Sequence, residues 1–199
     1  MHLVKSASHE TLTDAELVAR CLANDTAAQR MLFARERRRV HATLHRILGS
    51  NAHMEDLAQE AFLQIFRSLG TWRGEAKLST WMDRCTVRVA YRFLSQKKRA
   101  PVLESVSEPA SKTSSVEDRA LAREATRQLY RLLDALAPNK RIAFVLHVVE
   151  GRSMAEVASV MGATQIATKV RVFRARHEIE RRAKAECPAL SQMLEQGDA

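Results

Sequence analysis

The stretch Met54–Leu69 constrains the fold most strongly, because its apolar residues recur at the spacing of an amphipathic helix packed on a core. One broad face of this helix is predicted to be apolar. The residues of that face are Leu57, Ala58, Ala61, Phe62, Ile65, Phe66 and Leu69. No stretch of the chain shows the sustained alternation of a long strand, so we expect helices to build the fold.

A polar patch formed by Asp56, Gln59 and Glu60 lies off this apolar face. Two of its residues are acidic, although the chain carries a net charge of +9, with 32 Lys and Arg against 23 Asp and Glu. A basic surplus of this kind favours a polyanionic partner, usually nucleic acid. An acidic face in such a chain needs a different partner, which we expect to be a protein.

Residues 100–115 separate two helical parts of the chain. They contain two prolines and five serines and lack helical periodicity, as is typical of a linker. The predicted fold class is therefore all-α, with two helical domains joined by a flexible linker. The predicted order of tail, domain, linker, domain and tail is 1–12, 13–99, 100–117, 118–186 and 187–199.

Several helix ends can be predicted from capping residues. Capping boxes begin at Thr13 and Ser153, each with a glutamate three positions later. Ser79 is the expected N-cap of a basic helix. Pro138 suits the first turn of a further helix over Asn139–Glu150.

The C-terminal part ends in the order helix, glycine-containing turn, helix, which indicates a helix-turn-helix. The first helix is predicted over Met154–Met161 and ends at Gly162. Thr164 caps the second, which runs from Gln165 to about Lys184. Because the second helix is strongly basic, we expect it to lie in a major groove, with arginines at phosphates. Its predicted core positions are Ile166, Val170, Phe173 and Ile179.

A second basic surface is predicted on the helix that follows Ser79. Arg84, Arg88 and Arg92 are four residues apart and form a cationic stripe suited to a phosphate backbone. Trp72, in the preceding loop, either stacks on an exposed base, as in single-strand binding, or covers the core. The sequence leaves both roles open.

No pattern in the chain indicates an active site, a metal site or a cofactor site. His41 and His45 have a metal-binding spacing but no evident third ligand. A metal-dependent hydrolase built on Asp56 and Glu60 lacks a third carboxylate. The three cysteines are widely spaced, and the longest apolar run is too short to span a bilayer. These features predict a cytoplasmic protein that is not an enzyme.

Five blocks of sequence occur in an order that is typical of one family. EDLAQEAFLQIF and FRSLGTWRGEAKLSTWMDR lie in the N-terminal part, and LDALAPNKRIAF, EGRSMAEVASVMG and KVRVFRARHEIER lie in the C-terminal part. Together they resemble bacterial RNA polymerase sigma factors of the extracytoplasmic-function (ECF) group, within the sigma-70 family. The resemblance covers about Asp14–Arg99 and Ala122–Lys184.

The resemblance implies a role for each matched segment. The residues that would bind the clamp coiled coil of core polymerase are Asp56, Leu57, Gln59, Glu60 and Phe62. The residues that would melt DNA and recognise the minus-ten element are Trp72, Arg73, Arg84, Arg88, Arg92, Lys97, Lys98 and Arg99. The residues that would read the minus-thirty-five element are Thr164, Gln165, Thr168, Lys169, Arg171, Arg174 and Arg176.

The function implied by the resemblance is that of an alternative sigma factor without catalysis or a cofactor. Its expected partners are core RNA polymerase, promoter DNA and an anti-sigma factor. The family commonly has Asn and Asp where this chain has Arg88 and Arg92, and Gly and Thr where it has Ile166 and Ala167. The alternative is a free-standing helix-turn-helix regulator that binds duplex DNA without core polymerase.

Overall fold

The computed structural model of the protein describes residues 12–98 and 116–186, and within these ranges all regular secondary structure is helical. The predicted all-α class is confirmed. The helices are α1 (Asp14–Leu22), α2 (Thr26–Leu48), α3 (Met54–Ser68), α4 (Leu78–Lys97), α5 (Val116–Ala135), α6 (Pro138–Phe144), α7 (Met154–Met161) and α8 (Gln165–Glu186). The predicted linker lies outside the described residues, except for residues 116–117, which begin α5. Arg99 also lies outside them.

The capping boxes predicted from the sequence are confirmed at α1 and α7. The Thr13 hydroxyl accepts the Glu16 N–H at 3.3 Å, and the Glu16 carboxylate accepts the Thr13 N–H at 2.8 Å. Ser153 and Glu156 form the same pair of bonds at 3.2 and 2.9 Å. Each box satisfies amide groups that the first helical turn leaves without an intrahelical acceptor.

Helices α2, α3 and α4 pack together around the N-terminal part of the core. The apolar face predicted for α3 is buried except for Phe66, which is partly buried, and a short 3₁₀ turn over Leu69–Thr71 continues the helix. In helix α2, Met31 is 47% exposed. Leu32, the next residue, is fully buried and belongs to the hydrophobic core.

The prediction that Ser79 caps α4 is wrong. The helix begins one residue earlier, at Leu78, and its N-cap residue Lys77 makes no side-chain cap bond. The Leu78 N–H instead donates to a carboxylate oxygen of Asp14, in α1, at 3.3 Å. An acceptor distant in sequence therefore replaces the local cap, which a pattern of neighbouring residues cannot reveal.

The helix predicted over Asn139–Glu150 is divided in two. Pro138 occupies the first turn of α6 as expected, but the α-helix ends at Phe144, and a π-helical turn follows over Val145–Val149. The Glu150 N–H bonds the Val145 carbonyl at 2.9 Å, which is an i to i+5 spacing.

The prediction that Ile166, Val170 and Phe173 face the core is also wrong. They are 78%, 41% and 71% exposed, and only Ile179 of the predicted positions is buried. The buried residues of α8 are Thr168, Val172, Ala175, Ile179 and Ala183. Both sets have helical spacing, and the set with the smaller side chains is the one that packs against α6 and α7.

The two helical parts of the chain pack against each other. Helix α4 contacts both α6 and α7, and one continuous hydrophobic cluster contains residues of both parts. The contact between the two parts covers some of the predicted interaction residues and leaves others exposed.

Candidate protein and nucleic-acid interfaces

Helix α3 presents an exposed acidic surface, which we call the acidic face and define as Asp56, Gln59, Glu60 and Leu63. Leu63 is half exposed and was not among the predicted residues. Leu57 and Phe62, which were, are both buried. They hold α3 on the core and cannot themselves contact a partner in this arrangement.

The acidic face adjoins the cationic stripe of α4. Arg92 lies 2.8 Å from a carboxylate oxygen of Glu60, and it donates to the Gln64 side chain at 2.7 Å. Both members of the ion pair are about half exposed, so the pair itself contributes little to stability. Arg92, a predicted DNA contact, is therefore ion-paired with Glu60, a predicted polymerase contact.

The arginines predicted to form one stripe on α4 have different surroundings. Arg84 donates to the Ser159 carbonyl and hydroxyl oxygens of α7, both at 2.8 Å. Arg88 is exposed. Together with Arg92 and Arg171, they line a cleft of about 770 Å³ between the two parts of the chain.

The loop that precedes α4 holds its tryptophan in place. The Trp72 indole N–H donates to the Ala76 carbonyl at 3.0 Å, and its partly buried ring packs against the core. The arrangement favours the core-covering role. Arg73, the next residue, is exposed.

At the other end of α4, the lysines lie beside α5. The Lys98 ammonium donates to the Ala135 carbonyl at 3.1 Å, and that of Lys97 lies 3.9 Å from the Asp134 carboxylate. The two residues are exposed but partly engaged by the C-terminal part.

The predicted helix-turn-helix is formed by α7 and α8. Gly162 ends α7 with φ of 61°, and the Thr164 hydroxyl accepts the Ala167 N–H at 3.1 Å, which caps α8 as predicted. Thr168 is fully buried, and its hydroxyl donates to the Thr164 carbonyl, so it cannot reach DNA.

The other residues of α8 that were predicted to read the minus-thirty-five element lie on or beside its exposed face. Gln165, Lys169, Arg174 and Arg176 are exposed, and Arg171 is half-buried at the cleft. A basic helix whose outer face carries four polar or cationic side chains can contact both bases and phosphates in a major groove.

An ion pair fixes α8 to α6. The Lys140 ammonium lies 2.9 Å from the Glu178 carboxylate. This hydrogen bond lowers the pKa of Glu178 below its ordinary value.

The C-terminus of α2 is capped by residues of the C-terminal part, in an arrangement that we call the interdomain clasp. The Tyr130 hydroxyl donates to the Arg46 carbonyl at 2.9 Å. Arg141 is almost fully buried and donates to the Ile47 and Leu48 carbonyls at 2.6 and 2.7 Å. Three successive carbonyls that the helix leaves without intrahelical donors are thus satisfied from the other part of the chain.

A buried carboxylate with two arginine partners adjoins the same interface. Asp83 of α4 accepts two bonds from Arg39 of α2, at 2.9 and 2.7 Å, and one from Arg152, before α7, at 2.6 Å. Asp83 is 2% exposed. The hydrogen bonds to this carboxylate raise the pKa of the Arg39 guanidinium.

The sequence matches two family models whose positions agree with these two helical parts. Sigma-70 region 2 matches residues 32–100, and Sigma-70, region 4 matches residues 126–179. Together the matches cover more than half of the chain. The chain belongs to the sigma-70 family.

Curated proteins that are similar to this sigma factor are named as ECF sigma factors. It is 28% identical over 185 residues to the ECF RNA polymerase sigma-E factor of Escherichia coli (strain K12), covering 88% of this chain and 96% of that protein. It is 29% identical over 181 residues to the protein of the same name from Haemophilus influenzae, with 86% and 95% covered. It is therefore an alternative sigma factor that directs transcription initiation.

Two solved structures share the fold. CnrH in complex with the cytosolic domain of CnrY matches with a TM-score of 0.57 at 22% identity, covering 85% of this chain and 96% of that one. The sigma factor RpoE in complex with the anti-sigma factor NepR, from Bartonella quintana, matches with a TM-score of 0.55 at 17% identity, covering 79% of this chain and 97% of that one.

Among the described helices of this chain, none combines the length and the apolar composition that a membrane span requires.

Proposed function

We propose that this sigma factor binds core RNA polymerase through the acidic face of α3. One observation carries the proposal: the face is exposed and acidic on a chain of net charge +9, and it includes the half-exposed Leu63. An apolar residue surrounded by charged and polar ones is typical of a protein interface. Leu57 and Phe62 support the face from beneath, because they are buried.

We further propose that α4 and α8 contact the two promoter elements. Helix α8 presents its exposed face in the packed arrangement, whereas Arg84 of α4 is held by Ser159. Contact between the whole of α4 and DNA therefore requires the two parts to separate. The proposed boundaries of the region 2 domain, the linker and the region 4 domain are 13–99, 100–117 and 118–186.

The remaining parts of the proposal concern partners and setting. One of the two similar solved structures is a sigma factor with an anti-sigma factor, and the fold of this chain supports an anti-sigma partner here as well. Binding to core polymerase places the protein in the cytoplasm. All the proposed roles are binding roles, and we assign no catalytic activity or cofactor to the chain.

The proposal is tested by reversing the charge of the acidic face. The double variant Asp56→Lys, Glu60→Lys is expected to bind core polymerase about 100-fold more weakly, because like charges brought together at an interface cost several kcal/mol. The matched control is Glu75→Lys, Glu180→Lys, which makes the same charge change away from the face. Equilibrium binding of labelled protein to core polymerase measures the difference.

The same pair of variants distinguishes the two candidate functions. A sigma factor loses core binding only in the Asp56 and Glu60 variant, while the affinity of that variant for duplex DNA is equal to or higher than that of the unaltered chain. A free-standing regulator would bind duplex DNA tightly and show no measurable affinity for core polymerase even as the unaltered chain.

A further inference from the structure

The outermost ridge of α8 is apolar. Ile166, Val170 and Phe173 are 78%, 41% and 71% exposed and follow each other at i, i+4 and i+7, so they lie on one line along the helix. This line lies opposite the residues that face the core. Large apolar side chains grouped on a surface mark an interaction site, because their exposure to water is unfavourable.

Cations border this ridge on both sides. At 100° per residue, Lys169 lies on one side of the ridge, and Arg174 lies on the other. Both are exposed. The surface is therefore an apolar line between two positive edges rather than a broad apolar face.

This pattern fits the major groove of DNA better than a membrane surface. The groove is about 12 Å wide and admits one helix, with phosphates along both edges and the thymine C5 methyl groups on its floor. A membrane-binding helix would need a broad apolar face. The exposed side of α8 lacks such a face, because its apolar line of Ile166, Val170 and Phe173 is bordered by the exposed Lys169 and Arg174.

We propose that Ile166, Val170 and Phe173 read thymine methyl groups in the upstream promoter element, while Lys169 and Arg174 contact the flanking phosphates. This inference rests on the proposed role of α8 in promoter recognition. It assigns specificity in this chain to apolar contacts along the ridge. The upstream element of its promoters therefore contains thymines at the positions that face the three residues.

The test first identifies the element and then removes only the methyl groups. Core polymerase with the full chain selects promoters from a library randomised upstream of the start site. Thymines of the selected element are then replaced by uracil, which keeps base pairing and lacks the methyl group. Each methyl contact is expected to be worth about fourfold in affinity, which corresponds to about 0.8 kcal/mol per buried CH₂-sized group.

Variants of α8 connect the effect to the ridge. Ile166→Ala and Val170→Thr are exposed substitutions, and each is expected to bind the thymine element more weakly while losing part of the preference for thymine over uracil. The matched control Lys169→Ala is expected to weaken binding to both templates equally and to reduce the salt dependence, because it removes a phosphate contact. Thermal unfolding of each variant verifies that the fold is retained.

Three outcomes would overturn the inference. One is a selected element without thymines, and another is equal affinity for the thymine and uracil templates. The third is a loss of core-polymerase binding in the ridge variants with unchanged DNA preference, which would assign the ridge to a protein partner. A selection that recovers no sequence at all would instead refute the proposed sigma function, so the two failures are distinguishable.

Discussion

A single methyl group at position 49 should separate the two parts of the chain. Gly49 ends α2 with φ of 69°, and a Cβ built there would lie 2.0 Å from Cδ1 of Tyr130. That distance is far below van der Waals contact, so the ring of Tyr130 must leave its position in Gly49→Ala. The interdomain clasp would then lose its bond from the Tyr130 hydroxyl to the Arg46 carbonyl.

The expected shift of the equilibrium toward separated parts follows from the two interactions that the Tyr130 side chain loses. The hydrogen bond is worth about 1 kcal/mol. Removal of the partly buried ring from the interface costs a further ~1–2 kcal/mol. The equilibrium between packed and separated parts should therefore shift by about 2–3 kcal/mol, or roughly 30- to 150-fold toward separation. The matched control is Gly162→Ala, which carries a similar positive φ of 61° but whose added Cβ meets nothing within 4 Å.

Thiol labelling measures this equilibrium directly. Val87 is buried and lines the interface with α7, so a cysteine introduced by Val87→Cys reacts only when the parts separate. Its alkylation rate should rise roughly 30- to 150-fold in Gly49→Ala and stay unchanged in Gly162→Ala. Native Cys85 serves as an internal control, since it is buried within the N-terminal part and burial raises the pKa of its thiol. Equal labelling rates in the two glycine variants would refute the reasoning.

Three further predictions concern stability. Ser153→Ala should lower the unfolding free energy by about 1 kcal/mol in urea denaturation, because α7 loses its cap. Asp83→Ala should cost roughly 1.5–3 kcal/mol in the same assay, because Arg39 and Arg152 lose their charge-assisted hydrogen bonds to the buried carboxylate, whereas the exposed Glu75→Ala should change stability by less than about 0.5 kcal/mol. The lowered pKa of Glu178 means that its ion pair with Lys140 stabilises the fold above the ordinary glutamate pKa and that this contribution disappears as the pH falls through the lowered value. Lys140→Met should therefore flatten the acid side of the stability–pH profile, and an unchanged profile would contradict the assignment.

Local sequence patterns predicted the parts of the fold that depend on neighbouring residues. The capping boxes at Thr13 and Ser153 and the turn at Gly162 depend on contacts within four residues, so their spacing is sufficient to identify them. The ends of α7 were predicted for the same reason. The start of α4 was not, since its first amide is bonded by Asp14 of a distant helix.

Helical periodicity alone could not decide which side of α8 faces the core. The ridge of Ile166, Val170 and Phe173 and the buried set that includes Val172 and Ala175 both recur with the period of a helix. The larger residues suggested the core, but the smaller ones fit the close approach of α6 and α7. The sequence signal that could have indicated a binding face is the position of these large apolar residues between the cations Lys169 and Arg174.

The residues of the interdomain clasp carry no sequence signal. Arg141 bonds main-chain carbonyls more than ninety positions away, and any residue type could supply those carbonyls. The same holds for Arg84, whose partners in α7 are unrelated to its spacing from Arg88. A helical stripe read from the sequence therefore cannot show which of its members are occupied by another part of the chain.

Reconstituted transcription tests the central claim most directly. Core RNA polymerase, the purified protein and a library of genomic promoter fragments are combined, and the 5′ ends of the transcripts are mapped. Initiation at discrete sites is expected only when core polymerase and the protein are both present, and the Asp56→Lys, Glu60→Lys variant should abolish it. The absence of protein-dependent initiation from every fragment would contradict the assignment of this chain as a sigma factor.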